Sequence, residues 1–91
     1  MTKKDKRIER FKKIKGEASF YEARKVLEII GYEIIRMRGS HFIFEKTYNG
    51  NSDFKKITIP VHSNKIKKRY VRRIKEIIKK CITSIKINIL D

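Results

Sequence analysis

The chain contains two histidines, and one of them stands where an imidazole could act on a ligand. His41 follows the turn residues Gly39 and Ser40 and begins a run of strand-forming residues. Glycine lets the backbone come close to a ligand, and the amides of such a turn can face an anion. Because imidazole titrates near neutrality, His41 is either a catalytic acid or base, or a polar residue that hydrogen-bonds its own turn.

A second histidine and a basic cluster lie later in the chain. His62 is interpreted first as a loop-bracing residue and second as an auxiliary acid or base. The cluster consists of five cations, which are Lys67, Lys68, Arg69, Arg72 and Arg73. We expect these cations and the amides of Gly39 and Ser40 to contact phosphates.

Composition favours a nucleic acid as the partner. The 91 residues leave room for one domain and include 25 Lys and Arg against 10 Asp and Glu, a net charge of +15. Each phosphate that a Lys or Arg neutralises releases counterions, so a polyanion stabilises such a protein. A membrane surface is disfavoured because no apolar run approaches the ~20 residues of a spanning helix and the chain contains no Trp.

The few carboxylates and the single thiol argue against metal chemistry. Glu45, Asp53 and Glu76 are scattered, and Cys81 is the only cysteine, so neither a two-metal site nor a Cys/His zinc site is predicted. We therefore expect no cofactor. RNA cleavage by its own 2′-hydroxyl needs only a base, an acid and a cation, which this chain offers. The first residues lack the apolar stretch of a signal peptide, and we expect a cytoplasmic protein.

These residues fall between segments with helix and strand periodicity. Residues 1–18 predict a basic arm or a marginal helix that takes no part in the core. Ser19 and Glu22 have the spacing of a capping box, which predicts a helix over residues 20–30 with Gly31 as its stop. Three strands follow, over residues 32–38, 41–48 and 55–61, with a polar loop at 49–53.

The end of the chain predicts a second helix. Pro60 marks an edge position or the end of strand pairing, and residues 62–64 form a loop able to cap a helix. The helix is predicted from about Lys67, and its apolar stripe is Tyr70, Val71, Ile74, Ile77 and Ile78. The extension 81–91 alternates like a strand and either adds an edge strand or pairs between chains in a homodimer.

The order helix, three strands, helix predicts an α+β fold. It has a three-stranded antiparallel sheet with two helices on one face, the α-β-β-β-α order of the double-stranded-RNA-binding domain. We assign this domain to residues 19–80. In that architecture the basic start of the last helix reaches phosphates across a major groove.

Two motifs of the chain resemble those of the HicA (YcfA-like) toxins of bacterial toxin–antitoxin systems. One is the strand-turn-strand segment 36–44, RMRGSHFIF, which follows a helix that ends in Gly31-Tyr32. The other is Ile59-Pro60-Val61-His62 before the basic helix. The resemblance covers residues 19–79. The family's pattern does not include the segments 1–18 and 81–91, and it has a small Lys-Gly-Thr helix start where this chain has Lys68-Arg69-Tyr70.

The resemblance implies a function. It implies metal-independent cleavage of mRNA, with the histidine of the Gly-Ser-His motif, here His41, as the catalytic residue. It also implies a HicB-like antitoxin that covers the active face, which suits a +15 protein that would otherwise bind RNA indiscriminately. Two alternatives use the same basic face: a non-catalytic RNA-binding module, and a DNA-binding or ribosome-associated basic protein.

Overall fold

The computed structural model describes residues 2–46 and 56–90 and, within them, the side chains up to Lys80. Eight elements follow one another: α1 (Lys3–Lys12), β1 (Ala18–Ser19), α2 (Phe20–Ile29), β2 (Tyr32–Arg38), β3 (His41–Lys46), β4 (Lys56–Pro60), β5 (Lys65–Ile66) and α3 (Lys68–Leu90). Strands β2, β3 and β4 form an antiparallel sheet in that order, and β1 pairs with β5. The predicted α+β class with a three-stranded antiparallel sheet is confirmed.

The three strands of the main sheet follow the predicted pattern. β2 has the predicted bounds, and β4 is an edge strand that ends at Pro60, as its missing N–H requires. The predicted loop at 49–53 and the strand ends next to it lie outside the described residues.

Helix α2 begins where the sequence predicts. The hydroxyl of Ser19 accepts a hydrogen bond from the amide of Glu22 at 3.1 Å, which satisfies one of the open N–H groups of the first turn. Instead of completing the predicted capping box, the Glu22 carboxylate pairs with Arg7 at 3.5 Å and Arg10 at 3.4 Å. After the helix, Gly31 has a φ of +104°, which is the left-handed stop that was expected.

One hydrophobic core joins the helices to the sheet. Its largest fully buried side chains are Phe11, Leu27, Val26, Phe44, Ile59, Ile66, Val71, Ile74, Ile77 and Ile78. The ring of Phe20 lies 4.4 Å from that of Phe42 and meets Phe44 at 6.3 Å. These ring contacts fix the first turn of α2 over the start of β3.

The N-terminal segment forms a helix, which was one of the two predicted forms, but it is part of this core, so the prediction that it takes no part in the core is wrong. Helix α1 is capped by Thr2, and it buries Phe11 completely while Ile8 and Ile14 pack half-buried beside it. Lys75 of α3 donates a hydrogen bond to the carbonyl of Ile14, which ties the end of α1 to the last helix. The thin apolar stripe of α1 is sufficient because α2 and α3 supply the surface that covers it.

Residues 62–65 form a tight turn and not the predicted helix cap. His62 and Lys65 exchange two backbone hydrogen bonds of 3.0 and 2.9 Å, and Ser63 and Asn64 have positive φ values of 51° and 62°. Two successive positive φ values are the pattern of a type I′ hairpin turn. The turn leads into β5, in which Ile66 pairs with Ala18 before α3 begins.

Helix α3 has the predicted apolar stripe but runs further than predicted. Val71, Ile74, Ile77 and Ile78 are buried. The backbone is helical through Leu90, so the prediction of a strand in the extension 81–91 is wrong, and a homodimer paired through such a strand loses its basis. The isoleucines at 78, 82, 85 and 89 recur at helical spacing as well, and a helix already under way continues along them.

Candidate active site

The Gly39-Ser40 turn holds the start of β3 in a fixed position. It is a two-residue hairpin turn, because Arg38 and His41 are register partners. Gly39 has a φ of +57°, which glycine adopts without steric cost. The Ser40 carbonyl accepts a hydrogen bond of 2.8 Å from the amide of Val61, so the turn is also tied to the end of β4.

His41 lies on the open face of the sheet. Its neighbour Phe42 points to the helices, where it meets Phe20. Because successive side chains of a strand point to opposite faces, His41 points away from the helix layer, and it is exposed. Its register partners are Arg38 on β2 and Pro60 on β4.

A β-bulge brings two arginines to the same face. The register of β2 shifts between Ile34 and Arg36, so that Ile35 is the extra residue. In an unbroken strand Arg36 and Arg38 would share the core face with Ile34, whereas the bulge turns both to the face of His41. Directly opposed residues have Cβ atoms about 4.5–5.5 Å apart, so Arg38 is next to the imidazole. We call His41, Arg36 and Arg38 the histidine–arginine face.

The predicted phosphate-binding cations lie in the other layer of the molecule. All five are exposed, and they are Lys67, Lys68, Arg69, Arg72 and Arg73. They occupy the solvent side of the start of α3, whose opposite side packs on the core. Hydrogen bonds bring this helix start to the same end of the sheet as His41: Val61 reaches Ser40, and the Phe20 amide reaches Asn64 at 2.8 Å.

His62 is exposed in the turn that follows β4. It comes two residues after Pro60, the register partner of His41, and its amide and carbonyl both bond to Lys65. Both bonds are made by the main chain of His62 and not by its imidazole, so the loop-bracing and auxiliary interpretations both stay predictions. Within the described residues, no group of three His, Cys, Asp or Glu side chains is arranged to hold a metal ion.

Arg36 and Arg38 are the residues that the sequence reasoning missed. The two-residue turn is the signal that could have found Arg38, because a hairpin closed by Gly39-Ser40 must pair residue 38 with residue 41. Nothing in the sequence marks Ile35 as a bulge residue. The chemistry of the face follows from its three side chains. The imidazole can donate or accept a proton, and the two guanidinium groups are permanently charged and can bind an anion.

Fold and site together define a small basic α+β protein that presents one histidine beside two arginines of the neighbouring strand on an open sheet face. Comparison with known families then shows which one it belongs to. Residues 20–81, more than half of the chain, match the family described as "HicA toxin of bacterial toxin-antitoxin". The chain is a member of this family, as its motifs predicted.

Membership makes this chain the toxin of a toxin–antitoxin system, with an antitoxin as its partner. No curated protein and no solved structure matches the chain. The matched region begins at α2, so α1 and β1 lie outside it. Among the described residues, no helix is long and apolar enough to cross a membrane.

Proposed function

We propose that this toxin is a metal-independent endoribonuclease that cleaves mRNA in the cytoplasm, with His41 as its catalytic residue. The observation that carries the proposal is the histidine–arginine face, where one exposed imidazole stands beside two cations. A phosphodiester placed there meets a proton-transfer group and a positive field together.

The reaction needs no group beyond the RNA and these side chains. The 2′-oxygen loses its proton and attacks the neighbouring phosphorus, while the bond from phosphorus to the 5′-oxygen breaks and that oxygen gains a proton. The products are a 2′,3′-cyclic phosphate and a 5′-hydroxyl. His41 performs one of the two proton transfers, and Arg38 stabilises the extra negative charge on the phosphorus oxygens.

The amides of the Gly39-Ser40 turn and the cations at the start of α3 position the RNA strand. The Gly39-Ser40 turn leaves open space at Gly39, where an added Cβ would meet nothing within 4 Å, so an RNA backbone can approach it closely. The five cations at the start of α3, Lys67, Lys68, Arg69, Arg72 and Arg73, bind phosphates further along the strand as it passes round the end of the sheet.

Cleavage of labelled mRNA in the presence of EDTA tests the proposal. His41→Ala should lower the cleavage rate by at least about 100-fold, the usual contribution of a general acid or base, while RNA binding stays near that of the parent. Thr58→Ala is the matched control, because Thr58 is exposed on the same sheet face. Cleavage by His41→Ala at the rate of the parent would refute the assignment.

Two further variants separate the roles around His41. Arg38→Gln should slow cleavage by ~10²-fold, as is usual for the loss of a donor to a developing anion, and Arg38→Lys should restore part of the rate. Arg24→Gln on α2 is the charge-matched control. His62→Ala tests the auxiliary role of His62, and a normal rate would leave His41 as the only imidazole in the reaction.

The antitoxin is proposed to be HicB-like and to cover the histidine–arginine face. An acidic or groove-filling partner would neutralise part of the +15 charge and keep RNA from His41. The added antitoxin should therefore stop cleavage and protect residues 36–41 from hydrogen exchange. Inhibition without protection of this segment would place its binding site elsewhere.

One observation favours a second candidate, a non-catalytic RNA-binding module. The five exposed cations at the start of α3 lie in the helix layer, whereas His41 faces away from it, so RNA could bind the helix side without reaching the imidazole. This candidate predicts salt-dependent RNA binding with no cleavage, with or without metal ions.

A further inference from the structure

A groove lies between α1 and the exposed side of α2, in the helix layer of the molecule. It has a volume of about 380 Å³ and is lined by Lys3, Lys4, Arg7, Lys25, Glu28 and Ile29. Four of the six lining residues are cations and one is an acid. Half of the lining residues come from α1, which lies outside the family match.

The exposed side chain of Tyr21 stands beside this groove, next to two of its cations. The Tyr21 side chain is 59 % exposed, the second most exposed large apolar residue of the described chain. The Arg7 guanidinium lies 5.8 Å from the ring centre and the Lys25 ammonium lies 5.5 Å from it. Both cations also line the groove, so the ring and the groove form one continuous surface.

Salt bridges engage two of the four cations that line the groove, Arg7 and Lys25. Glu28 lies 3.9 Å from Lys25 and is shared with Arg24 at 3.8 Å, and Arg7 pairs with Glu22. Within the described residues, Lys3 and Lys4 form no ion pair. The surface therefore combines an exposed aromatic ring with cations, the combination that binds single-stranded nucleic acids.

The first turn of α2, which carries Tyr21, lies at the end of the molecule that carries the active site. Tyr21 follows Phe20, whose ring packs on Phe42, the residue after His41. The Phe20 amide is bonded to Asn64 in the turn beyond β4. An RNA strand that leaves the Gly39-Ser40 turn and passes round this end of the sheet therefore reaches Tyr21 first and the cations of the groove next.

We propose that the groove between α1 and α2 is a second RNA-binding surface, where an unpaired base stacks on Tyr21 and the flanking phosphates contact the lysines. The inference rests on the proposed RNA substrate and extends its footprint beyond the reacting phosphate. An acidic polypeptide would use the cations but not the ring face, whereas RNA uses both. The surface therefore binds single-stranded RNA in preference to duplex RNA, whose bases are stacked inside.

A binding assay with an uncleavable probe tests this surface independently of catalysis. The probe is a short fluorescein-labelled 2′-O-methyl oligoribonucleotide, in which no 2′-hydroxyl can react. Tyr21→Ala should weaken its binding by about five-fold or more, since stacking of a base on an aromatic ring is of that strength. Lys25→Gln should lower the slope of log affinity against log salt by about 0.7, the value for one lost phosphate contact on a single strand.

Lys13→Gln is the matched control, because Lys13 is an exposed lysine at the C-terminal end of α1 that does not line the groove. The chain has no Trp, so Tyr21→Trp adds a single reporter whose fluorescence the stacked base should quench. This second variant keeps a ring and needs no loss of binding. Its quenching by the probe would support the proposal even if Tyr21→Ala folded poorly.

Three results would overturn the inference. The first is that Tyr21→Ala and Lys25→Gln bind the probe with the same affinity as Lys13→Gln. The second is that the probe does not quench the fluorescence of Tyr21→Trp. The third is that a poly-glutamate peptide binds as tightly as the probe and that Tyr21→Ala weakens its binding to the same extent. The last result would assign the groove to an acidic polypeptide. Failure of His41 as catalyst would show only in the cleavage assay, so the two proposals fail separately.

Discussion

Replacement of Phe11 by Ala tests whether α1 is an integral part of the fold. The Phe11 ring is fully buried against the other helices, although α1 lies outside the family match. Truncation of a buried Phe to Ala costs about 3–5 kcal/mol, the lost transfer free energy plus the cavity. A domain of this length has a total stability of roughly 5–14 kcal/mol. The change would therefore remove a large part of the stability of the protein.

Urea unfolding followed by circular dichroism at 222 nm measures the effect. Phe11→Ala should move the midpoint strongly downward with a single cooperative transition, because α1 and the rest of the core unfold together. Phe11→Leu should cost much less, since it keeps most of the buried volume. A loss below about 1 kcal/mol, or a separate early transition for α1 alone, would show that α1 is only an appendage.

Two further predictions concern the backbone and the first helix. Gly39→Ala should destabilise the protein by about 1 kcal/mol through its φ of +57° alone. Ser63→Gly should stabilise the protein slightly, because Ser63 has a φ of 51°. Thermal melts should therefore show a lower melting temperature for the first variant and a higher one for the second. Hydrogen bonds from the Thr2 amide and hydroxyl lower the pKa of Asp5. The Asp5 carboxylate therefore stabilises α1 at pH values above its ordinary pKa, and this stabilisation is lost as the pH falls through the lowered pKa. The protection factors of the α1 amides against hydrogen exchange should fall at acid pH, and in Asp5→Asn this fall should be absent.

The sequence was sufficient where local periodicity and local chemistry agree. Helix α2 has a cap, an apolar stripe and a glycine stop within residues 19–31, and all three are found in the structure. The stripe of α3 was equally clear. The prediction of a strand over residues 84–90 was wrong. Ile85, Ile87 and Ile89 alternate as in a strand, but Ile85 and Ile89 also have helical spacing. Only the preceding helix, which continues through these residues, decides between the two patterns.

What the sequence could not predict depends on packing between distant segments. The stripe of α1 is thin, and its burial requires a surface formed by two other helices. The groove beside Tyr21 exists only because α1 folds back on α2. The bulge in β2 is the third case, since a period of two places Arg36 and Arg38 on the core face with Ile34. The bulge instead places both on the face of His41.

Deletion of Ile35 separates the two roles of this bulge. Without the extra residue, Ile34 still pairs with Phe44, and Arg36 follows it directly and pairs with Ile43. The register is then unbroken, and Arg36 stays on the face of His41. We therefore expect the deletion variant to fold and to keep its cleavage rate. A folded variant that no longer cleaves would contradict the placement of the histidine–arginine face.

The same deletion should change how the edge of the sheet meets other chains. β2 is an edge strand with Ile35 47 % and Met37 62 % exposed, and bulges protect such edges from pairing. The +15 charge also opposes self-association, but salt near 1 M shortens the screening length to about 3 Å. Light scattering should therefore show dimers of the deletion variant at high salt and monomers at low salt. Ile35→Lys keeps the bulge and should remain monomeric in both, whereas a deletion variant that stays monomeric at high salt, where the charge is screened, would show that the bulge is not what protects this edge.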